Sequence, residues 1–132
     1  MIYYKVLMSN NNNLLVPIVI PSYEPDDRLI SLLHDFDDKA MGPVIIVNDG
    51  SSEEYDKIFA EAESIITKRG GKYISYHPNR GKGRALKTAF SYIKENMPDS
   101  IGCVTADSDG QHTTECISKI IDTLISKPDN LV

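Results

Sequence analysis

Apolar residues in this chain follow two alternating patterns. Short, near-continuous runs occur at LLVPIVI (14–20), PVIIVND (43–49), KYISYH (72–77) and IGCVTAD (101–107). Runs of this kind suit strands buried on both faces of a parallel sheet rather than half-exposed antiparallel strands. Between them the spacing changes to i, i+3, i+4. Leu29, Ile30, Leu32, Leu33 and Phe36 form one stripe, Tyr55, Ile58, Phe59, Ala62, Ile65 and Ile66 a second, and Ala85, Leu86, Ala89, Phe90 and Ile93 a third. Each stripe predicts an amphipathic helix, and Gly70-Gly71 and Pro98 stand where two of the C-termini are due. A fourth stripe, Cys116, Ile117, Ile120, Ile121, Leu124 and Ile125, follows the last run. Strand–helix units repeated in this way predict right-handed crossovers and an α/β fold, a Rossmann-like, doubly wound, mainly parallel sheet. The polar run SNNNN (9–13) reads as a linker, so the expected organisation is an N-terminal segment and linker over 1–13 and one domain over 14–132.

In open parallel sheets, ligands gather outside the carboxyl ends of the strands, where loops and helix N-termini converge. Pro21, Asp49, His77 and Asp107 all fall just past those ends. Charge narrows what could bind there. A net charge of −5 and a pI near 5.1 argue against a nucleic-acid partner, so an anionic ligand would have to be brought in by a cation or by local dipoles. Cys103 and Cys116 have neither the spacing of a zinc or redox pair nor the density of a disulfide scaffold, and the expectation is reduced thiols in the cytoplasm. No apolar run approaches the ~18 residues of a bilayer span. The opening MIYYKVLM lacks the length and cleavage site of a signal peptide.

Four stretches carry candidate chemistry. In CVTADSDGQH (103–112), Asp107 and Asp109 are separated by one serine. Residues i and i+2 of an extended or turning segment point the same way, so the two carboxylates could converge on a hard cation, with Gln111 adding an amide oxygen. Such donors suit Mg²⁺ or Mn²⁺ bound together with a phosphate. A polar turn in which Asp caps the next helix fits the same spacing, which by itself leaves both readings open. An EF-hand register fails, because it puts Thr105 and Cys116 at the first and last ligand positions. VNDGSS (47–52) ends the second run with Asp49 at its tip, and Ser51 and Ser52 are placed to cap the helix that follows. IPSYEPDDRL (20–29) offers Tyr23 either as a flat face for a nucleobase or as a cover for the core edge. HPNRGKGRALKTAF (77–90) sets Arg80, Lys82 and Arg84 around two glycines at a helix start, a basic phosphate-binding loop but not a P-loop, since the spacer and the GK[ST] ending are missing. His77 reads as a loop histidine rather than a catalyst.

Taken in order, PSYEP, VNDGS, NRGKGRA and DSDGQH resemble the motifs PxYNE, VDDGS, NxGKGxA and DADGQH of family-2 glycosyltransferases with the GT-A fold, in particular the polyprenyl- and dolichyl-phosphate sugar transferases. The resemblance covers residues 14 to about 130. It implies a metal-dependent, inverting glycosyltransferase that moves a sugar from a nucleotide-diphosphate sugar to a lipid-phosphate or glycan acceptor. Pro21, Tyr23, Val47 and Asp49 would hold base and ribose, and Lys82, Asp107 and Ser108 would line the donor. Asp107, Asp109 and Gln111 would hold Mg²⁺ or Mn²⁺. Glu24 stands where the family has Asn and Pro25 where it has Glu, which would move the acidic contact to Glu24; Asn48 replaces the first of two aspartates. In the family the acceptor and base groups come from a second half, so the implied chain stops before them, the transfer step needs more than these residues, and the sheet edge beside the fourth unit is left open to self-association. A role at the inner face of a membrane follows from the lipid acceptor. Two other classes remain as rivals, a non-catalytic nucleotide- or metal-binding module and a phosphotransfer domain; the latter's DxD belongs after the first strand and continues with Thr, where this chain has Gln111.

Overall fold

The computed structural model describes residues 3–4, 16–39, 41–110, 117 and 119–123. In chain order they form β1 (Tyr3–Tyr4), β2 (Ile18–Ser22), α1 (Arg28–Asp38), β3 (Val44–Asp49), a single 3₁₀ turn (Glu53–Tyr55), α2 (Asp56–Thr67), β4 (Lys72–Tyr76), α3 (Lys82–Asn96) and β5 (Cys103–Thr105). Residues 117 and 119–123 are helical; the other members of the expected fourth stripe, Cys116, Leu124 and Ile125, lie outside the described residues.

The described strands make one sheet in the order β1-β5-β2-β3-β4. β2, β3, β4 and β5 run parallel, while β1 pairs antiparallel with β5 through Tyr3↔Val104 and Tyr4↔Cys103. The α/β doubly wound sheet expected from the pattern is therefore present. The pairing of Tyr3–Tyr4 is an addition, and it lies along the side of β5 that the sequence had left open.

The strands read as continuous apolar runs because they are covered on both faces. Ile18, Ile20, Val44 and Ile46 point to one side, where Leu29, Leu32, Leu33 and Phe36 of α1 and Phe59, Ala62 and Ile66 of α2 meet them. Val19, Ile45 and Val47 point to the other, against Ala85, Leu86, Ala89 and Ile93 of α3. Alanine at two of those α3 positions lets the helix come close to the sheet. α2 ends at the expected glycines: Gly70 has φ +76, and a Cβ on Gly71 would lie 2.5 Å from the Val44 carbonyl oxygen and 2.7 Å from that of Ile66. α3 ends one residue after Glu95, before Met97 and Pro98, as anticipated.

The sheet opens at the point that matters for ligands. β2 and β3 stay paired to Ser22↔Asn48, but β2 and β5 pair only through Ile18↔Val104 and Val19↔Thr105. Pro21, which has no N–H to give a neighbouring strand, comes after the last of those β2–β5 pairs. α1 leads from β2 toward β3 and β4, whereas β5 joins on the opposite side of β2. The gap between the tips of β2 and β5 is thus the topological switch point of the sheet, where open α/β folds form their crevices.

Candidate functional site

An open cavity of about 420 Å³ occupies that gap, lined by Pro21, Ser22, Tyr23, Asp49, Asn79, Gly81, Lys82, Asp107, Ser108 and Asp109. Of the residues singled out by sequence, Pro21, Tyr23, Asp49, Lys82, Asp107 and Ser108 come together here, and Asp109 with them. Val47 does not. Its side chain is buried in the core cluster facing α3. Glu24 is also absent from the lining. Gln111 lies outside the described residues. Ser22, Asn79 and Gly81 line the cavity without having been marked individually; the position of Asn79 in NRGKGRA, just before the basic loop, was the available signal.

On the β5 side, Asp107, Ser108 and Asp109 leave the strand in a turn closed by the Gly110 N–H donating to the Asp107 carbonyl at 3.2 Å. The Asp107 carboxylate meets the Lys82 ammonium at 3.0 Å, with the two side chains 33% and 58% exposed. Lys82 is the first residue of α3. A cation from the basic loop therefore crosses the cavity to the first carboxylate of DSD. Arg28, at the start of α1, is raised above the usual guanidinium range chiefly by its hydrogen bond to Asp26, and the charge of Asp109 adds in the same direction. A lysine from the start of α3 thus pairs with the first of the two carboxylates, which reduces their mutual repulsion.

On the β3 side, the polar residues serve one another. Asn48 accepts from the Ser51 N–H at 3.0 Å and donates to the Tyr73 hydroxyl at 2.9 Å. Ser51 is buried, and its hydroxyl oxygen accepts the Glu24 N–H at 2.9 Å. The expected capping role of the two serines is not what forms: Ser52 donates to the Glu54 carboxylate at 3.2 Å, and Ser51 ties the loop after β3 to the loop after β2. Glu24 sits at φ +48, in the left-handed region.

Asp49 is only 4% exposed. Its Oδ1 accepts from the Tyr76 hydroxyl at 2.7 Å and the Arg80 N–H at 2.8 Å; its Oδ2 accepts from Asn79 Nδ2 at 3.1 Å and the Gly81 N–H at 2.9 Å. Burial, followed by the bond to Asp49, pushes the Tyr76 phenol up to about 12, so it stays a donor across the physiological range. Gly50 follows at φ +71, and a Cβ there would collide with the backbone of Asn79 and come within 2.6 Å of the Pro78 carbonyl carbon. Burial alone pushes the Cys103 thiol up to about 12, leaving an inert core residue.

Among the described residues, no group of three or more His, Cys, Asp or Glu side chains is placed to hold a metal ion. Two carboxylates in one cavity remain a suitable donor set for a cation that takes its other ligands from a phosphate and water.

Residues 18–132 match the family model described as Glycosyl transferase family 2. Among curated proteins, the chain is 27% identical over 122 residues to a UDP-N-acetylglucosamine–dolichyl-phosphate N-acetylglucosaminyltransferase of Methanococcus voltae, covering 85% of this chain and 48% of that protein. It is 26% identical over 124 residues to a dolichyl-phosphate beta-glucosyltransferase of Saccharomyces cerevisiae, covering 87% of this chain and 36% of that one. The chain thus spans half or less of the length of these relatives. No helix among the described residues is long and apolar enough to cross a membrane.

Proposed function

The chain belongs to glycosyl transferase family 2, and from that premise we propose that it forms the nucleotide-diphosphate-sugar-binding part of a metal-dependent, inverting glycosyltransferase whose acceptor is a polyprenyl phosphate or a glycan. The observation that carries this reading is the single cavity at the switch point, which joins an aromatic face, a lysine and a pair of carboxylates from three separate strand-end motifs. The nucleotide base lies against Tyr23 and Pro21, and the diphosphate lies between Lys82 and the DSD turn, with Ser108 toward the sugar.

Asp107 and Asp109 are the residues that would hold Mg²⁺ or Mn²⁺. Bound there, the ion would neutralise charge on the departing diphosphate. Lys82 adds a fixed positive group on the same side. In the transfer, an acceptor oxygen attacks the anomeric carbon as its bond to the diphosphate oxygen breaks. A phosphate acceptor is already anionic and needs no base to deprotonate it, whereas a glycan hydroxyl does. The names of both relatives favour a lipid phosphate, which would place the reaction at the cytoplasmic face of a membrane.

Calorimetric titration with UDP-, GDP- and dTDP-sugars, in Mn²⁺ and in EDTA, tests the reading. One donor class should bind in Mn²⁺ and lose most of its affinity in EDTA, and Asp109→Asn should remove that dependence. Absence of binding by all three, or equal affinity with and without the cation, would overturn it.

A further inference from the structure

The sheet separates two helix layers of opposite charge. α1, the 3₁₀ turn and α2 cover one face and each carries a net charge of −2, whereas α3 covers the other and carries +3. Along α3 the charge is ordered. At about 100° per residue, Arg84, Lys87, Ser91 and Lys94 share an arc of roughly 80°. They lie opposite Ala85, Leu86, Ala89 and Ile93, which pack on the sheet, and they are exposed. The stripe runs about 15 Å along the helix. Arg80, also exposed, precedes it, and exposed Lys72 stands on the same face of the edge strand β4 as Ile74 and Tyr76, which join the α3 cluster.

A charged face that only solvates a helix commonly pairs its charges at i, i+4. Glu95 is the one acid of α3, and none of Arg84, Lys87 and Lys94 takes part in the ion pairs found among the described residues. So ordered a positive face, on a chain of net −5, fits an extended anionic partner. A flat partner fits better than a nucleic acid that wraps the domain. It meets α3 alone, while the acidic layer stays behind the sheet, farther off than the ~10 Å over which salt screens charge.

We propose that this face of α3 seats the domain on the anionic headgroups of a lipid bilayer. The stripe begins two residues past Lys82, which lines the cavity, so a seated domain holds its cavity rim beside the headgroups. The choice of a lipid as occupant rests on the lipid-phosphate acceptor proposed above.

Co-sedimentation of the purified chain with vesicles tests it, using phosphatidylcholine alone and phosphatidylcholine mixed with an equal part of phosphatidylglycerol, without nucleotide, metal or acceptor lipid. The wild type should bind the anionic vesicles only, and should lose most of that binding as salt rises from roughly 0.05 to 0.5 M. Arg84→Gln, Lys87→Gln and Lys94→Gln combined should weaken binding about a hundredfold, since each cation at an anionic surface is worth about fivefold. Lys87→Gln alone should cost about fivefold, and it carries the test if the triple variant fails to fold. Lys39→Gln, Lys57→Gln and Lys68→Gln combined make the same change of net charge at exposed positions on the α1–α2 side and should alter binding by less than about twofold. No binding to anionic vesicles, equal binding to neutral ones, equal losses in the two triple variants, or retention of duplex RNA in place of vesicles would each overturn the proposal. Donor binding is decided separately by the titrations above, since no nucleotide is present here.

Discussion

β3 ends in Asp49, and two residues beyond the end of β5 stands Asp107; both line the same cavity, and their surroundings differ. Asp49 is 4% exposed and holds two backbone amides and two side chains of its own protein. Asp107 is a third exposed and pairs with the ammonium of a lysine that is itself 58% exposed. Position past a strand end does not by itself fix how many of a carboxylate's hydrogen bonds come from its own chain. What decides is whether neighbouring segments arrive with enough donors to fill it. At β3 the loop before α3 does so; at β5 the strand pairing stops early and leaves room.

The largest effect expected on the β3 side comes from Gly50→Ala. Its φ of +71 disfavours any side chain, and the added Cβ has backbone rather than a flexible side chain in its way. Together these should destabilise the fold by roughly 2–5 kcal/mol, measured as a lowered denaturation midpoint. A midpoint unchanged from wild type would mean that the 77–81 segment is not seated on Gly50 in solution.

Replacing the two aspartates by alanine tests the contrast itself. Asp49→Ala leaves the Arg80 and Gly81 amides without their acceptor and should cost about 2–3 kcal/mol of stability. Asp107→Ala removes a partly exposed ion pair and should change stability by no more than about 0.5 kcal/mol. Equal losses would show that the two aspartates do not differ in how firmly their own chain holds them.

This division also marks where the sequence stopped being readable. Strands and helices were legible because burial on both sheet faces leaves an apolar run and burial on one helix face leaves a stripe. The cavity was legible because an α/β order places strand ends together. The hydrogen bonds that Asp49 accepts were not, since their donors lie 27 to 32 residues away. The same reason applies to Ser51, whose partner is the Glu24 amide 27 residues back, and which looked like a local helix cap. Val47 looked like part of a motif, yet its side chain belongs to the α3 core. A two-residue strand such as Tyr3–Tyr4 leaves no periodicity to find.

A smaller effect is expected at Glu24. Its φ of +48 is a conformation that Asn tolerates better than Glu, which gives a physical reason for the Asn that related motifs carry at this place. Its backbone N–H bond to Ser51 does not depend on the side chain. Glu24→Asn should therefore raise stability by about 0.5 kcal/mol. A thermal midpoint that falls instead would mean that the Glu24 carboxylate contributes more than its backbone strain costs.

The smallest effect on stability should come from Lys82→Met, and it separates two roles of one lysine. The Lys82–Asp107 pair is exposed to solvent and screened by salt, so its loss should alter stability by about 0–0.5 kcal/mol. Its consequences for binding have opposite signs. In the absence of nucleotide, the ammonium competes with any divalent cation for Asp107, so its removal should tighten Mn²⁺ binding about two- to threefold, an increase that shrinks as added salt screens the pair. In the presence of a diphosphate, the same removal takes away a charge that attracts the ligand, and nucleotide affinity should fall. Following free Mn²⁺ by its paramagnetic resonance signal, with and without UDP, reads both arms in one sample. Mn²⁺ affinity that is unchanged or weaker in Lys82→Met would show that Lys82 does not hold Asp107 against a cation, and that the carboxylate at the end of β5 is less available than its exposure suggests.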